Sequence, residues 1–144
     1  GILAPLFYPI EQLNIIYSGP SEDLLIVPQL NDNNEIYAGY ENQLVSPRQL
    51  PGNFLGRLTK AKKVIASSLH GIILAEAYGI PAVFFDSGSG ENIFKYQDYY
   101  QGTGRMEFAV GKTIEECMKL ETLPIPNIAE RQRALVENFP FDKY

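Results

Sequence analysis

Cysteine, histidine and tryptophan are scarce here: the sequence has one cysteine, Cys117, one histidine, His70, and no tryptophan. A lone cysteine excludes an intramolecular disulfide and any cysteine cluster for a metal, which leaves a reducing compartment, the cytoplasm, as the expected location. One imidazole among scattered carboxylates gives no metal-ligand spacing, so neither a metal nor another cofactor is expected. Positive charge is also short, with 12 Lys and Arg against 17 Asp and Glu and a formal net charge of −5. That balance gives no electrostatic reason to expect nucleic acid or an anionic membrane as a partner. No apolar run approaches the roughly 20 residues that cross a bilayer, so no integral membrane segment is expected. The opening Gly1-Ile2-Leu3-Ala4-Pro5-Leu6-Phe7 is apolar but has no initiator Met, basic leader or small-residue cleavage site. It reads as the start of a piece cut from a longer protein.

What the chain does have is enough apolar content, 45% of 144 residues, to bury the core of one ordinary domain. Its most informative stretch runs from Val64 to Phe85. Val64-Ile65-Ala66 suits a short buried parallel strand, Ser67 and Ser68 are candidate N-caps, and His70 to Tyr78 has helical periodicity. Gly79 ends that helix and Ile80 to Phe85 forms the next buried strand. Such a βαβ unit points the unpaired N–H groups of its helix out of the carboxyl edge of the sheet, where anions bind.

The remaining elements alternate in the same way. Leu13 to Tyr17 and Leu24 to Val27 read as strands around the turn-rich Ser18 to Asp23, Asn31 to Asn34 as a loop, and Glu35 to Tyr40 as a further short strand. Pro51 to Ala61 predicts a helix with Phe54, Leu55 and Leu58 on one face. After the flexible Ser87-Gly88-Ser89-Gly90, a tyrosine-rich helix is expected over Asn92 to Tyr100 and an edge strand over Glu107 to Val110. Thr113 to Glu116 and Asn127 to Glu130 have capping-box spacing and open helices ending near Leu120 and Asn138. The alternation predicts a Rossmann-like α/β domain, a parallel sheet with helices on both faces.

Several phrases carry a family resemblance. Ser67-Ser68-Leu69-His70-Gly71, Ala75-Glu76-Ala77-Tyr78-Gly79-Ile80-Pro81, Phe94 to Tyr100 with Gly104-Arg105, and Phe139-Pro140-Phe141 resemble the polysaccharide pyruvyl transferases, in particular their exopolysaccharide branch, over roughly Leu24 to Phe141. The resemblance implies a bacterial enzyme of two Rossmann-like halves, similar to GT-B glycosyltransferases, of which this chain is the C-terminal half. It implies transfer of a pyruvyl group from phosphoenolpyruvate to two hydroxyls of a sugar or lipid-linked oligosaccharide as a ketal, at the inner face of the membrane. The missing N-terminal domain would then be a partner of this one. Two positions depart from the pattern: Ser68 stands where many members have Arg before the Leu-His pair, and Pro28-Gln29 stands where many have Pro-His.

The chemistry can be weighed residue by residue. Pyruvyl transfer needs a proton donor for the methylene carbon of phosphoenolpyruvate, cations or N–H groups for its phosphate and carboxylate, and a base for the sugar hydroxyl. His70 is the candidate acid or base; the alternative is that it caps its own helix or bonds a carbonyl. Ser67, Ser68 and Gly71 are candidate substrate contacts, with N-capping the plainer role of the serines. Lys95 and Arg105 are candidate cations for the anionic groups, or solvated charges. Glu76 resembles the acidic position that holds donor sugar hydroxyls in GT-B enzymes, or simply packs, and Glu91 and Asp98 are candidate bases. Tyr96, Tyr99 and Tyr100 offer a platform for a sugar ring, although their near-helical spacing favours packing. Arg57, Lys60, Lys62 and Lys63 surround a helix C-terminus and read as complements to its dipole. Two other functions fit the same turn: a glycosyltransferase using a nucleotide-sugar donor, and a non-catalytic accessory domain of exopolysaccharide biosynthesis.

Overall fold

The computed structural model describes residues 2–13, 21–122, 124–125 and 128–138. Its elements are α1 (Ala4–Phe7), α2 (Ile10–Leu13), β1 (Leu25–Val27), α3 (Pro51–Leu58), β2 (Val64–Ala66), α4 (Leu69–Ala77), β3 (Ala82–Phe85), α5 (Phe94–Gly102), β4 (Val110–Gly111), α6 (Ile114–Lys119) and α7 (Ile128–Glu137). The four strands form one sheet in the order β1-β2-β3-β4, every pair parallel. Registers Val27↔Ala66 and Ala66↔Phe84 bring the carboxyl ends of the first three strands nearly level. Their apolar runs are continuous, as expected for strands covered on both sides.

Alternation along each strand divides the core in two. Leu25, Val27, Val64, Ala66, Ala82 and Phe84 pack with α3, α4 and α5 on one face. Ile26, Ile65, Val83 and Phe85 meet Tyr37, Ile114 and Cys117 on the other. A strand order that advances steadily in one direction with crossovers of one hand places every crossover helix on the same face, and α3, α4 and α5 obey this. The chain returns beneath the sheet as α6. The result is the expected Rossmann-like parallel α/β arrangement with both faces covered.

Several boundaries differ from expectation. Glu35 to Tyr40 is not a strand: Asn33 accepts a hydrogen bond from the Glu35 N–H at 3.0 Å and starts a 3-10 helix over Asn34–Tyr37. An asparagine that captures a backbone N–H thus overrides the strand preference of Ile36 and Tyr37. Leu13 closes α2 rather than opening a strand, because its helical spacing from Ile10 serves packing against α3; residues 14–17 lie outside the described ones, as do Asn127 and Phe139 to Phe141. The helix from Pro51 stops at Leu58, where the Thr59 hydroxyl donates back to the Leu55 carbonyl at 2.9 Å. The tyrosine-rich helix starts at Phe94, since the Asn92 side chain accepts from the Phe94 N–H at 2.9 Å. The edge strand is Val110–Gly111 rather than Glu107 to Val110, pairing only with the end of β3. No helix among the described residues is long and apolar enough to cross a membrane.

Two glycines mark close approaches. A Cβ on Gly71 would lie 2.8 Å from Val27 Cγ1 and 3.2 Å from Ala66 Cβ, so the first turn of α4 rests directly on the ends of β1 and β2. A Cβ on Gly111 would lie 2.3 Å from Cys117 Sγ. Gly71→Ala gains about 1 kcal/mol of helix propensity but overpacks against a stiff β-branched neighbour, at about 1–3 kcal/mol; a net loss of about 1 kcal/mol is expected, read as a lower urea midpoint at unchanged slope. Burial pushes the Cys117 thiol from 9.0 up to about 11 and the Tyr96 phenol from 10.0 up to about 12. Both folded values are raised, so the stability they confer is complete below the unfolded values and is lost as pH climbs through the folded ones. Denaturation midpoints measured between pH 8 and pH 12 should therefore fall above about pH 9, and a thiol reagent at pH 8 should label Cys117 only after unfolding.

Candidate active site

The carboxyl ends of β1, β2 and β3 are tied together by one carboxylate. Asp32, in the loop after β1, accepts on Oδ2 from the Gln29 N–H at 3.0 Å, the Tyr37 hydroxyl at 2.5 Å and the Ser67 hydroxyl at 2.5 Å. Its Oδ1 accepts from the Ser87 hydroxyl at 2.6 Å. Four donors from the β1 turn, the 3-10 helix, the end of β2 and the loop after β3 thus converge on one side chain, and bonds to an ionised acceptor are the strong ones. Burial, followed by the hydrogen bond to Asp32, raises the Tyr37 phenol far above its ordinary value. The loop after β1 is fixed a second time by Gln29: its N–H lies 2.9 Å from Ser67 Oγ, and its Nε2 donates to the Ser67 carbonyl at 3.0 Å and to the Tyr96 hydroxyl at 2.8 Å.

On this clamped edge stands the first turn of α4. Ser68, in extended conformation, is the N-cap, its Oγ accepting from the Gly71 N–H at 3.3 Å. His70 is therefore not the cap; it is exposed, and no other described residue bonds it. It opens into a cavity of about 680 Å³ between α4, α3, α1 and the β1 turn, with Val27, Phe54, Leu55 and Leu74 on the apolar side. Its polar lining includes Gln29, Asn31, Gln49, Ser68, His70, Glu91 and Lys95. The Lys95 ammonium is paired with the Glu91 carboxylate and lies 5.3 Å from the Tyr96 ring centre. No group of three His, Cys, Asp or Glu among the described residues is placed to hold a metal ion.

The other sequence candidates fall into separate places. Ser67 is buried and spends its hydroxyl on Asp32, and Gly71 serves the close approach described above. Glu76 and Arg105 meet each other: Nη1 and Nη2 of Arg105 donate to the two Glu76 oxygens at 2.6 and 2.8 Å, and the Tyr99 hydroxyl adds a third bond at 2.8 Å. The guanidinium also lies 4.6 Å from the Tyr100 ring centre. Burial opposes the Arg105 charge, but the bonds to Glu76 outweigh it and hold its pKa above the ordinary value. Glu76 is 2% exposed, and neither partner lines the cavity. Tyr96 and Tyr100 are buried, stacked on Phe84 and Phe108 with ring centres 4.0 and 4.5 Å apart, so these rings are core. Asp98 is an exposed residue of α5 away from the cavity, whereas Glu91 lies in it.

Three of the four members of the basic cluster, Arg57, Lys62 and Lys63, have structural partners at the opposite edge. Arg57 donates to the Leu44 and Asn42 carbonyls at 2.7 and 2.5 Å, Lys62 pairs with Asp23 at 2.9 Å, and Lys63 donates to the Cys117 and Leu120 carbonyls at the end of α6 at 3.1 and 2.9 Å. The sequence reading missed Asp32 and Tyr37. The available signal was a single acid within Asn31-Asp32-Asn33-Asn34 just after a buried strand, but its partners lie 35 and 55 residues away.

Removing one member of a buried ion pair leaves the other charge uncompensated, at a cost of about 3–5 kcal/mol. Arg105→Met should lower stability by about that amount in chemical denaturation. If the pair only joins α4 to the turn after α5, phosphate binding at the cavity, followed by amide NMR, should be unchanged in the same variant.

A family model described as polysaccharide pyruvyl transferase matches residues 9–89, more than half of the chain. The matched segment holds Gln29, Asp32, Ser67, Ser68 and His70, and stops short of Lys95 and Arg105. No curated protein and no solved structure matches the chain. With that match covering β1 to β3 and the clamped edge that carries His70, this chain belongs to the polysaccharide pyruvyl transferase family, a family of transferases acting on polysaccharide.

Proposed function

We propose that this domain binds phosphoenolpyruvate across Ser67 to Gly71 and that His70 is the proton donor for pyruvyl transfer to a sugar. The observation that carries this reading is His70 itself, an exposed imidazole with no partner among the described residues, on the first turn of a nine-residue helix and inside the 680 Å³ cavity. The phosphate meets the N–H groups of that turn, where the helix dipole favours negative charge, and Lys95 turns from Glu91 to an anionic oxygen. Ser68 offers a hydroxyl where many family members offer a guanidinium, so Lys95 carries more of the anion's charge here.

The imidazolium of His70 gives its proton to the methylene carbon, which becomes the methyl group and leaves positive charge on C2. One sugar hydroxyl adds to C2 and loses its proton to a base, for which Glu91 is the carboxylate in the cavity. The bond from C2 to the phosphate oxygen then breaks, inorganic phosphate departs, and a second hydroxyl adds with loss of its proton to close the ketal. Acceptor contacts beyond the cavity come from an N-terminal domain, with the two halves arranged as in GT-B enzymes. The acceptor is a sugar or lipid-linked oligosaccharide and the reaction is cytoplasmic.

The reading is tested by amide NMR on the chain with phosphoenolpyruvate, uridine diphosphate and inorganic phosphate, observing Ser67 to Gly71. Saturable shifts are expected with phosphoenolpyruvate, weaker ones with phosphate and none specific to the nucleotide. A preference for uridine diphosphate would instead support a nucleotide-sugar transferase, and silence from all three would remove the donor site from this chain. In a full-length enzyme His70→Ala should lower turnover by about 10²- to 10⁴-fold, the usual worth of a general acid.

A further inference from the structure

Gln29 has spent every hydrogen it can donate. Its backbone N–H is taken by Asp32 and Ser67, and its two Nε2 hydrogens go to the Ser67 carbonyl and the Tyr96 hydroxyl. The carbonyl can only accept, so the amide nitrogen must face it and the orientation of the side chain is settled. Tyr96 donates its own proton to that carbonyl at 2.5 Å, and so it has a lone pair for the second Gln29 hydrogen. Tyr96 is in turn packed in the core, 1% exposed and stacked on Phe84. The remaining polar atom, Gln29 Oε1, has two lone pairs and no bond from any other described residue, and Gln29 lines the cavity that holds His70.

We infer that Gln29 is a specificity-determining residue, a fixed acceptor that takes a hydroxyl of a neutral sugar. This rests on the pyruvyl-transfer reading and names the part of the cavity that reads the acceptor substrate. A carbonyl oxygen locked in place receives an O–H and repels a phosphate or carboxylate. It therefore gives the cavity two chemically distinct regions: His70, Lys95 and the α4 N-terminus for the anionic donor, and Gln29 for the polyol. Because Nε2 cannot turn outward without abandoning two bonds, Gln29 discriminates more sharply than a free side-chain amide, which can present either end.

The test is ligand-observed NMR on the chain saturated with phosphoenolpyruvate, titrating methyl glucoside, methyl galactoside and methyl mannoside. Gln29→Met keeps the length and removes the acceptor together with the two Nε2 bonds to Ser67 and Tyr96, so its amide spectrum around Ser67 is compared with that of the unaltered chain first. The substitution should weaken the best-bound glycoside about three- to tenfold, the range of one neutral hydrogen bond, and leave phosphoenolpyruvate affinity within about twofold. In the unaltered chain the two Gln29 side-chain N–H signals should be well separated, slow to exchange, and shifted by the glycoside. Equal glycoside affinity in Gln29→Met, or no glycoside bound by a chain that binds phosphoenolpyruvate, overturns the assignment and leaves the donor site standing. Glycoside binding that depends on Gln29 in a chain that ignores phosphoenolpyruvate does the reverse, sinking the pyruvyl-transfer reading alone. Should Gln29→Met fail to fold, unmoved side-chain signals in the unaltered chain overturn the assignment by themselves.

Discussion

The Asp32 carboxylate is the constraint on which the edge of the sheet depends. Parallel strands leave their carboxyl ends without a turn to join them, and each must be followed by a loop whose polar groups need partners. Here one half-buried carboxylate serves the loops after β1, β2 and β3 at once, through hydroxyls of Tyr37, Ser67 and Ser87 and the backbone of Gln29. Four bonds thereby commit it to structure, which separates it from the exposed imidazole nearby. The small residues around it matter for the same reason. Ser67 is short enough to donate from the strand end, and Gly71 lets α4 begin against Val27 and Ala66 rather than a side chain's width away.

A second charged device lies behind the first. Glu76 of α4 and Arg105 in the turn after α5 neutralise each other, with Tyr99 as third partner and Tyr100 beneath the guanidinium. Such a pair contributes little net stability compared with apolar side chains of the same volume, but it commits both charges to one geometry. Its effect is to anchor α4 at its far end while Ser68 and Gly71 anchor the near end. The helix that carries His70 is thus held along its length, and His70, Lys95 and Glu91 are left to face the cavity.

How far the residues announced all this depends on the range of the interaction. Val64 to Phe85 was legible almost to the residue, because a buried strand, a serine cap, a periodic segment and a terminating glycine are each local signals that agree. Gly79, with φ of 78°, is in the left-handed conformation that its place after the helix predicts. The short elements were less legible. Asn34–Tyr37 has strand-like residues and a helical turn, since the Asn33 side chain competes for the backbone within two residues. Glu107 to Val110 pairs only at its end, because a strand also requires a neighbour in register.

The site divides in the same way. Sequence alone determined the parallel α/β class, the helix that begins after Ser68 and the placing of the sole histidine at its start, because cap, periodicity and breaker act over a few residues. Tertiary structure alone decided which polar groups remain available. Glu76 and Arg105, 29 residues apart, became partners, and Ser67 was claimed by an aspartate 35 residues earlier. Gln29 was turned by Tyr96, 67 residues further on, so that among the described residues only its side-chain oxygen has no partner. A hydrogen bond between chain segments is set by strand register and helix packing, and those are properties of the folded whole rather than of any stretch of sequence.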